Sequence, residues 1–210
     1  MINVIIADDH AVVRKGLRQI LEDTTDIKIK DEAVNGSELL EKLKNGKFDV
    51  VILDVSLPDM NGLEVLKEIK NLYPSQKVLI FTIYPEDQYA IRLLKSGASG
   101  YVNKNSDPEV LINAVRSIAV GRKYISPDLA ELLASSLDSN STRPPHEVLS
   151  DREFQVLCMI ASGNSVGDIA KKLKLSSNTI STYRNRIMEK LDLKNNSEIT
   201  YYAFRYDLVS

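Results

Sequence analysis

The stretch Val50-Val51-Ile52-Leu53-Asp54 decides the fold. Its four apolar residues run continuously instead of alternating with polar ones, and a carboxylate follows at once. Such runs mark strands buried on both faces, as in a parallel sheet covered by helices. Working outward, Asn3–Ala7, Ile27–Ala33, Val78–Thr82 and Gly100–Val102 read as further strands. Helical spacing links Val13/Leu17/Ile20/Leu21, Leu39/Leu40/Leu43, Leu63/Leu66/Ile69 and Ile91/Leu94, with a last stripe at Leu111/Ala114/Val115/Ile118. Alternating strand and helix signals over residues 1–122 predict an α/β doubly wound parallel five-stranded sheet.

The chain then changes character. Residues 123–147 read as a linker: Pro127-Asp128-Leu129 opens a short helix, and Ser135 to His146 is rich in Ser, Asn and Pro, with Pro144-Pro145 near its end. Residues 148–210 carry only helical signals. Ser150 and Glu153 form a capping box ahead of Val156/Leu157/Ile160/Ala161, with Gly163 as C-cap. Ser165 with Asp168 starts a second helix (Val166/Ile169/Ala170/Leu173), and Ser176 caps a third (Ile180/Tyr183/Ile187/Leu191). A fourth, Ile199/Tyr202/Ala203/Tyr206, follows Asn195-Asn196, completing a small all-α four-helix domain.

Composition narrows the class. With 43% apolar and 27% charged residues among 210, the chain reads as an ordinary globular protein of two modest domains. No apolar run approaches the length of a membrane span, and Met1 leads straight into a strand pattern without a secretory leader. One cysteine, Cys158, forms no internal disulfide, and the two histidines, His10 and His146, lack metal-ligand spacing. A cytoplasmic protein with no membrane partner is expected. The net charge of −2 conceals a basic stretch: residues 171–194 hold seven Lys/Arg against two Asp/Glu. That favours a polyanionic partner.

In open parallel sheets, chemistry collects at the carboxyl ends of the strands. Those ends here carry Asp8 and Asp9 after the first strand, Asp54 after the third, Thr82 after the fourth and Lys104 after the fifth. Three gathered carboxylates require a cation, and hard oxygen donors with open positions suit Mg²⁺, which also binds phosphate oxygens. A carboxylate beside such an ion can attack phosphorus. Lys104 and the Thr82 hydroxyl would then pair with phosphoryl oxygens. Acids after strands are common singly; five polar groups in this order on these strands are not.

With these residues in place, positions 1–120 resemble a two-component receiver domain. The motifs are Asp8-Asp9, Asp54 followed by Leu57-Pro58-Asp59-Met60-Asn61-Gly62, then Thr82, and Tyr101 ahead of Lys104. The resemblance implies that Asp54 is the phosphoacceptor for a sensor histidine kinase. It implies Mg²⁺ on Asp9, Asp54 and the Ser56 backbone carbonyl, with Asp8 acting through water. Thr82 and Tyr101 would form the switch pair, the aromatic ring turning inward as phosphate draws the Thr hydroxyl. Such a protein is no enzyme beyond slow autodephosphorylation. Many receivers have a small residue after the switch Thr; Ile83 and Tyr84 stand here, and their bulk predicts slow hydrolysis of the phosphoryl group.

Residues 149–209 resemble the DNA-binding domain of the NarL/FixJ (LuxR-type) regulators. The match runs through Leu149-Ser150-Asp151-Arg152-Glu153, Ala161-Ser162-Gly163, Ile169-Ala170-Lys171-Lys172-Leu173, Leu175-Ser176, Thr179-Ile180 and Lys190-Leu191. A helix-turn-helix module lays its second helix in the major groove of double-stranded DNA. With Ile180, Tyr183, Ile187 and Leu191 facing the core, Asn178, Thr182, Asn185 and Glu189 face outward, with Ser181 and Arg186 at the flanks. Asn185 suits adenine and the Thr182 methyl suits thymine. Lys174, Ser177, Thr179, Arg184, Arg186 and Lys190 read as phosphate contacts. The chain departs from the family at Ser181, where Lys is common, at Tyr183, where His is, and at Asn196, where Arg is frequent. The last helix carries Tyr201, Tyr202, Phe204 and Tyr206, more aromatic surface than one stripe buries; the resemblance implies a homodimer on DNA, and RNA polymerase is a further candidate partner.

Two other readings compete. An α/β nucleotide-binding enzyme or phosphohydrolase would need a Gly-rich phosphate cradle after the first strand, where the chain reads Asp8-Asp9-His10-Ala11-Val12. A regulator that binds DNA independently of phosphorylation, its receiver only a dimerisation platform, would not need the complete acidic set.

Overall fold

The computed structural model describes residues 1–84, 86–138, 145–206 and 208–209. It divides into two compact units, Met1–Glu131 and Leu132–Ser210.

In the first unit, strands β1 (Ile2–Ala7), β2 (Ile27–Ala33), β3 (Val50–Leu53), β4 (Lys77–Thr82) and β5 (Gly100–Asn103) form one parallel sheet in the order β2-β1-β3-β4-β5. Helices α1 (Ala11–Glu22), α2 (Gly36–Asn45), α3 (Gly62–Leu72), α4 (Glu86–Lys95) and α5 (Pro108–Ala119) alternate with them. All four residues of β3 are buried, as their unbroken apolar run requires. Val4, Ile6, Val50, Ile52, Leu79 and Val102 share one core cluster with Leu17 and Leu21 of α1 and Leu111, Val115 and Ile118 of α5. The stripe read for α4 is shifted: Ala90 and Leu93 are buried, whereas Ile91 and Leu94 are only partly so. Two apolar pairs offset by one residue compete in that short helix, and the sheet selects Ala90/Leu93.

Register places the site. Ala7 pairs with Leu53 and Thr82 with Asn103, so Asp8 and Asp54 leave neighbouring strands at the same level. The Asp54 amide donates to the Ala7 carbonyl at 2.9 Å and the Lys104 amide to the Thr82 carbonyl at 2.8 Å. Behind Asp54 the chain doubles back tightly through a Ser56–Asn61 bridge. A Cβ on Gly62 would lie 2.6 Å from both the Asp54 carbonyl oxygen and the Val55 Cα, so only glycine fits. Asn61 then caps α3 in a capping box with Glu64.

A helix, α6, runs from Pro127 to Asp138. It continues through Ser135–Asp138, which composition assigns to linker: Pro127 starts a helix well, and a few serines are too weak a helix breaker to end it. The expected linker residues 139–144 lie outside the described residues. Beyond them a short 3₁₀ turn, Pro145–Val148, leads into α7 (Asp151–Ala161), α8 (Val166–Leu173), α9 (Ser177–Leu191) and α10 (Asn196–Arg205). Ser150, Ser165, Ser176 and Asn195 each accept a backbone amide at their helix start. Gly163 stands at φ +82° just past the end of α7. Lys174 (φ +53°) and Asp192 (φ +54°) terminate α8 and α9 in the left-handed region without glycine.

Candidate functional site

The carboxyl edge of the sheet gathers the residues that the strand ends predict. Lys104 Nζ lies 2.6 Å from Asp8 Oδ2 and 2.7 Å from Asp54 Oδ2, all three side chains being nearly inaccessible to solvent. Two buried carboxylates thus share one ammonium, leaving the cluster short of positive charge. Burial raises the Asp54 carboxyl above the usual range, against the pull of Lys104. Burial works against the Lys104 ammonium too, but Asp54 and Asp8 outweigh it and hold its pKa above that of ordinary lysine.

Two buried atoms are left open: among the described residues, neither Asp54 Oδ1 nor the Thr82 hydroxyl has a hydrogen-bond partner. One ligand atom from each of Asp8, Asp9, His10 and Asp54 lies within 4.8 Å of the others. An orphaned carboxylate oxygen inside such an acidic set fits a small divalent cation with oxygen ligands. Sequence spacing gives His10 no metal-ligand partner; the structure corrects this, because the His10 amide folds back onto Asp8 and brings its Nδ1 to 2.7 Å from Asp9 Oδ1.

The switch residues lie next to this edge. Tyr101 is turned inward and buried, its hydroxyl donating to the Tyr84 carbonyl at 2.6 Å. Asn103 Nδ2 donates to the same carbonyl at 3.0 Å. The Tyr84 hydroxyl lies 3.3 Å from Ser56 Oγ, so the side chain reaches from the β4 loop to the β3 loop beside Asp54. Ile83, expected to crowd the site with Tyr84, is 62% exposed, whereas Tyr84 is partly buried.

Asp59, quoted in the receiver motif without a role of its own, caps a different helix. Its carboxylate accepts the Gly36 and Ser37 amides at 2.8 Å and the Ser37 hydroxyl at 2.7 Å, tying the loop after Asp54 to the start of α2. Burial opposes its ionised form, but these donors outweigh it and hold its pKa below the usual aspartate value. No local sequence signal marks a cap separated from its helix by some twenty residues.

In the second unit α8 and α9 form the helix-turn-helix. Ile180 and Ile187 are the buried residues of α9; Tyr183 and Leu191, read as core, are only partly buried. Tyr183 joins Asn178, Thr179, Thr182 and Arg186 around a surface cavity of about 330 Å³. Asn178, Ser181, Thr182, Asn185 and Arg186 are exposed, as the wheel requires. The Thr182 hydroxyl donates to the Asn178 carbonyl at 2.9 Å. Thr179 supports the Ser176 cap, their hydroxyl oxygens 2.8 Å apart. Two expected phosphate contacts are committed elsewhere. Arg184 is half-buried with Nε donating to Asn196 Oδ1 of α10, and Lys190 Nζ sits 2.6 Å from Glu153 Oε2 of α7. Both follow from close helix packing that a single-helix projection omits. Lys174 is exposed at the turn between α8 and α9. In α10, Tyr202 is buried and stacks at 4.6 Å on Tyr206, while Tyr201 and Phe204 are exposed.

A parallel α/β domain with an acidic, lysine-bridged strand edge, followed by a helix-turn-helix domain, defines a receiver coupled to a DNA-binding module. Residues 4–116 match the response regulator receiver domain and residues 147–203 the bacterial regulatory proteins of the luxR family. The chain belongs to the two-component response regulators of the NarL/FixJ type. It is 36% identical to the response regulator UvrY of Escherichia coli (strain K12), covering 99% of this chain and 96% of that one. The response regulator GacA of Pseudomonas viridiflava is 37% identical, covering 100% and 98%. Among solved structures, RcsB from Salmonella enterica serovar Typhimurium bound to promoter rprA in the presence of phosphomimetic BeF₃⁻ aligns over the full length of both chains, with a TM-score of 0.65 and 29% identity. Among the described residues, no helix is long and apolar enough to cross a membrane.

Proposed function

We propose that Asp54 accepts a phosphoryl group from a sensor histidine kinase and that this modification controls how α9 engages DNA. The observation that carries the reading is the pair of open, buried oxygens, Asp54 Oδ1 and Thr82 Oγ1, beside a lysine already committed to the acidic cluster. In the transfer, an Asp54 oxygen attacks phosphorus, the phosphorus–nitrogen bond of the donor breaks, and the imidazole departs. Thr82 Oγ1 and Lys104 Nζ are the donors available to the phosphoryl oxygens. Asp9, Asp54 and the Ser56 carbonyl would hold Mg²⁺, whose contribution is to neutralise charge on those oxygens. Both oxygens of Asp8 are engaged, one by Lys104 and one by the His10 amide, which suits a role through water. Tyr84 beside the site shields phosphorus from water and slows hydrolysis.

On the DNA side, Asn178, Ser181, Thr182 and Asn185 are the residues of α9 offered to the groove, with Arg186, Thr179, Lys174 and Ser177 towards phosphates. Arg184 and Lys190 are left out because each already holds a neighbouring helix. A homodimer on DNA is supported by the solved structure of two RcsB dimers bound to two parallel DNAs; exposed Tyr201 and Phe204, three residues apart on α10, offer apolar surface for its contact. A cytoplasmic location fits this role, and RNA polymerase is a further candidate partner.

The test is intact mass after incubation with acetyl phosphate and Mg²⁺, for wild type and Asp54→Asn, followed by DNA binding of both at two salt concentrations. One phosphoryl adduct on wild type alone, with altered DNA affinity, supports the reading. No adduct on folded wild type would select phosphorylation-independent DNA binding with the receiver as a platform.

A further inference from the structure

His10 occupies the N-cap position of α1, where Ser, Thr, Asp or Asn would normally satisfy a free amide, yet its side chain makes no capping bond. Helix formation therefore does not account for an imidazole here. The ring is turned instead onto the acidic edge, with Nδ1 2.7 Å from Asp9 Oδ1 and 3.4 Å from Asp8 Oδ1. The His10 amide donates to Asp8 Oδ1 at 2.7 Å, folding the residue back towards the cluster. The Asp9 separation is close to the ~3 Å expected between two neighbouring ligands of one small divalent ion. Asp54, whose buried Oδ1 is orphaned, belongs to the same four-residue group. With 63% of the His10 side chain exposed, the group is open on one side, leaving room for water on an ion.

We propose that His10 is a nitrogen ligand of the receiver's cation site, which biases that site from Mg²⁺ towards divalent transition-metal ions, with Mn²⁺ as the probe that reports the nitrogen. This rests on the reading of Asp9 and Asp54 as a divalent-cation site and adds the donor that sets its selectivity. Carboxylate and water oxygens alone suit Mg²⁺ and Mn²⁺ alike, whereas imidazole nitrogen favours the later ions. The competing role for His10 is a hydrogen bond from Nδ1–H to Asp9, which would orient the carboxylate without touching the ion.

Pulsed electron paramagnetic resonance of Mn²⁺ bound to the full-length protein separates the two. Wild type shows nitrogen coupling from the imidazole, and His10→Ala and His10→Gln both lose it. Competition with Mg²⁺, read from the free Mn²⁺ signal, shows the preference for Mn²⁺ falling about tenfold or more in both variants. Mn²⁺ that is bound and displaced by Asp54→Asn, but lacks nitrogen coupling in wild type, would overturn the ligand role and leave the cation site standing. An unchanged preference in both variants would overturn it equally. Binding of neither ion in an Asp54-dependent way would remove the cation site itself and this proposal with it.

Discussion

The Tyr101 hydroxyl donates to the main-chain carbonyl of Tyr84 at 2.6 Å, joining the inward-facing switch ring to the loop that runs beside Asp54. The hydroxyl of that same Tyr84 lies against Ser56. One aromatic residue therefore links the switch position, the β4 loop and the β3 loop. Replacing Tyr84 by Ala removes the shield while leaving its carbonyl for Tyr101. The phosphoryl group on Asp54 is expected to hydrolyse about tenfold faster in Tyr84→Ala, a barrier change of about 1.4 kcal/mol. Phosphate release from preloaded protein measures it, and a wild-type half-life of only seconds would defeat the shielding argument.

Lys104 is the only cation bonded to the buried Asp8 and Asp54 carboxylates among the described residues. Lys104→Met leaves them uncompensated, so stability without divalent ions should drop by about 3 kcal/mol. Added Mg²⁺ should recover part of that loss. Urea denaturation with and without Mg²⁺ tests both, and a variant as stable as wild type would contradict the charge argument.

Gly62→Ala drives a methyl into the main chain of Asp54 and Val55, neither of which can yield like a flexible side-chain tip. A cost of about 1–3 kcal/mol is expected, together with slower phosphorylation because the phosphoacceptor strand end must shift. The thermal midpoint and the rate of adduct formation, measured on the same preparation, should change together.

Burial alone would raise the Glu153 carboxyl, but Lys190 and the Ser150 amide and hydroxyl outweigh it and hold its pKa below the ordinary value of 4.5. A carboxylate with a depressed native pKa stabilises the fold above its unfolded pKa, and that contribution is lost as pH falls through the native value. Glu153→Gln should therefore cost about 1 kcal/mol at pH 7 and progressively less below pH 4.5. Denaturation curves of both proteins across this range should converge on the acid side.

Arg186 is exposed beside Asn178 and Thr182, whereas Arg184 is held by Asn196. Arg186→Ala should weaken DNA binding at every sequence and lower the salt slope by about one. Arg184→Ala should chiefly lower thermal stability by loosening α9 from α10. Equal loss of salt slope in both variants would mean that Arg184 leaves Asn196 for DNA.

The patterns legible in the sequence are those set by near neighbours along the chain. The unbroken apolar run of β3 requires burial on both faces, and Ser150, Ser165 and Ser176 each meet an amide three residues on. The order of Asp8, Asp9, Asp54, Thr82 and Lys104 also follows, because a parallel sheet brings every strand end to one edge. The same reading mistook the α4 stripe, where two apolar pairs fit equally, and α6, where polar residues do not outweigh a good helix start.

Tertiary structure alone decided which partners the functional side chains hold. Asp59 reaches back to α2, His10 turns onto Asp9, Arg184 bonds to Asn196 and Lys190 to Glu153. Each bond joins groups brought together by strand register, a tight turn or a helix crossing, and depends on rotamers set by the surrounding packing. Sequence periodicity therefore determined the two domains and the edge where chemistry gathers. The geometry at that edge, and the subset of α9 left exposed, arose only when the helices and strands packed.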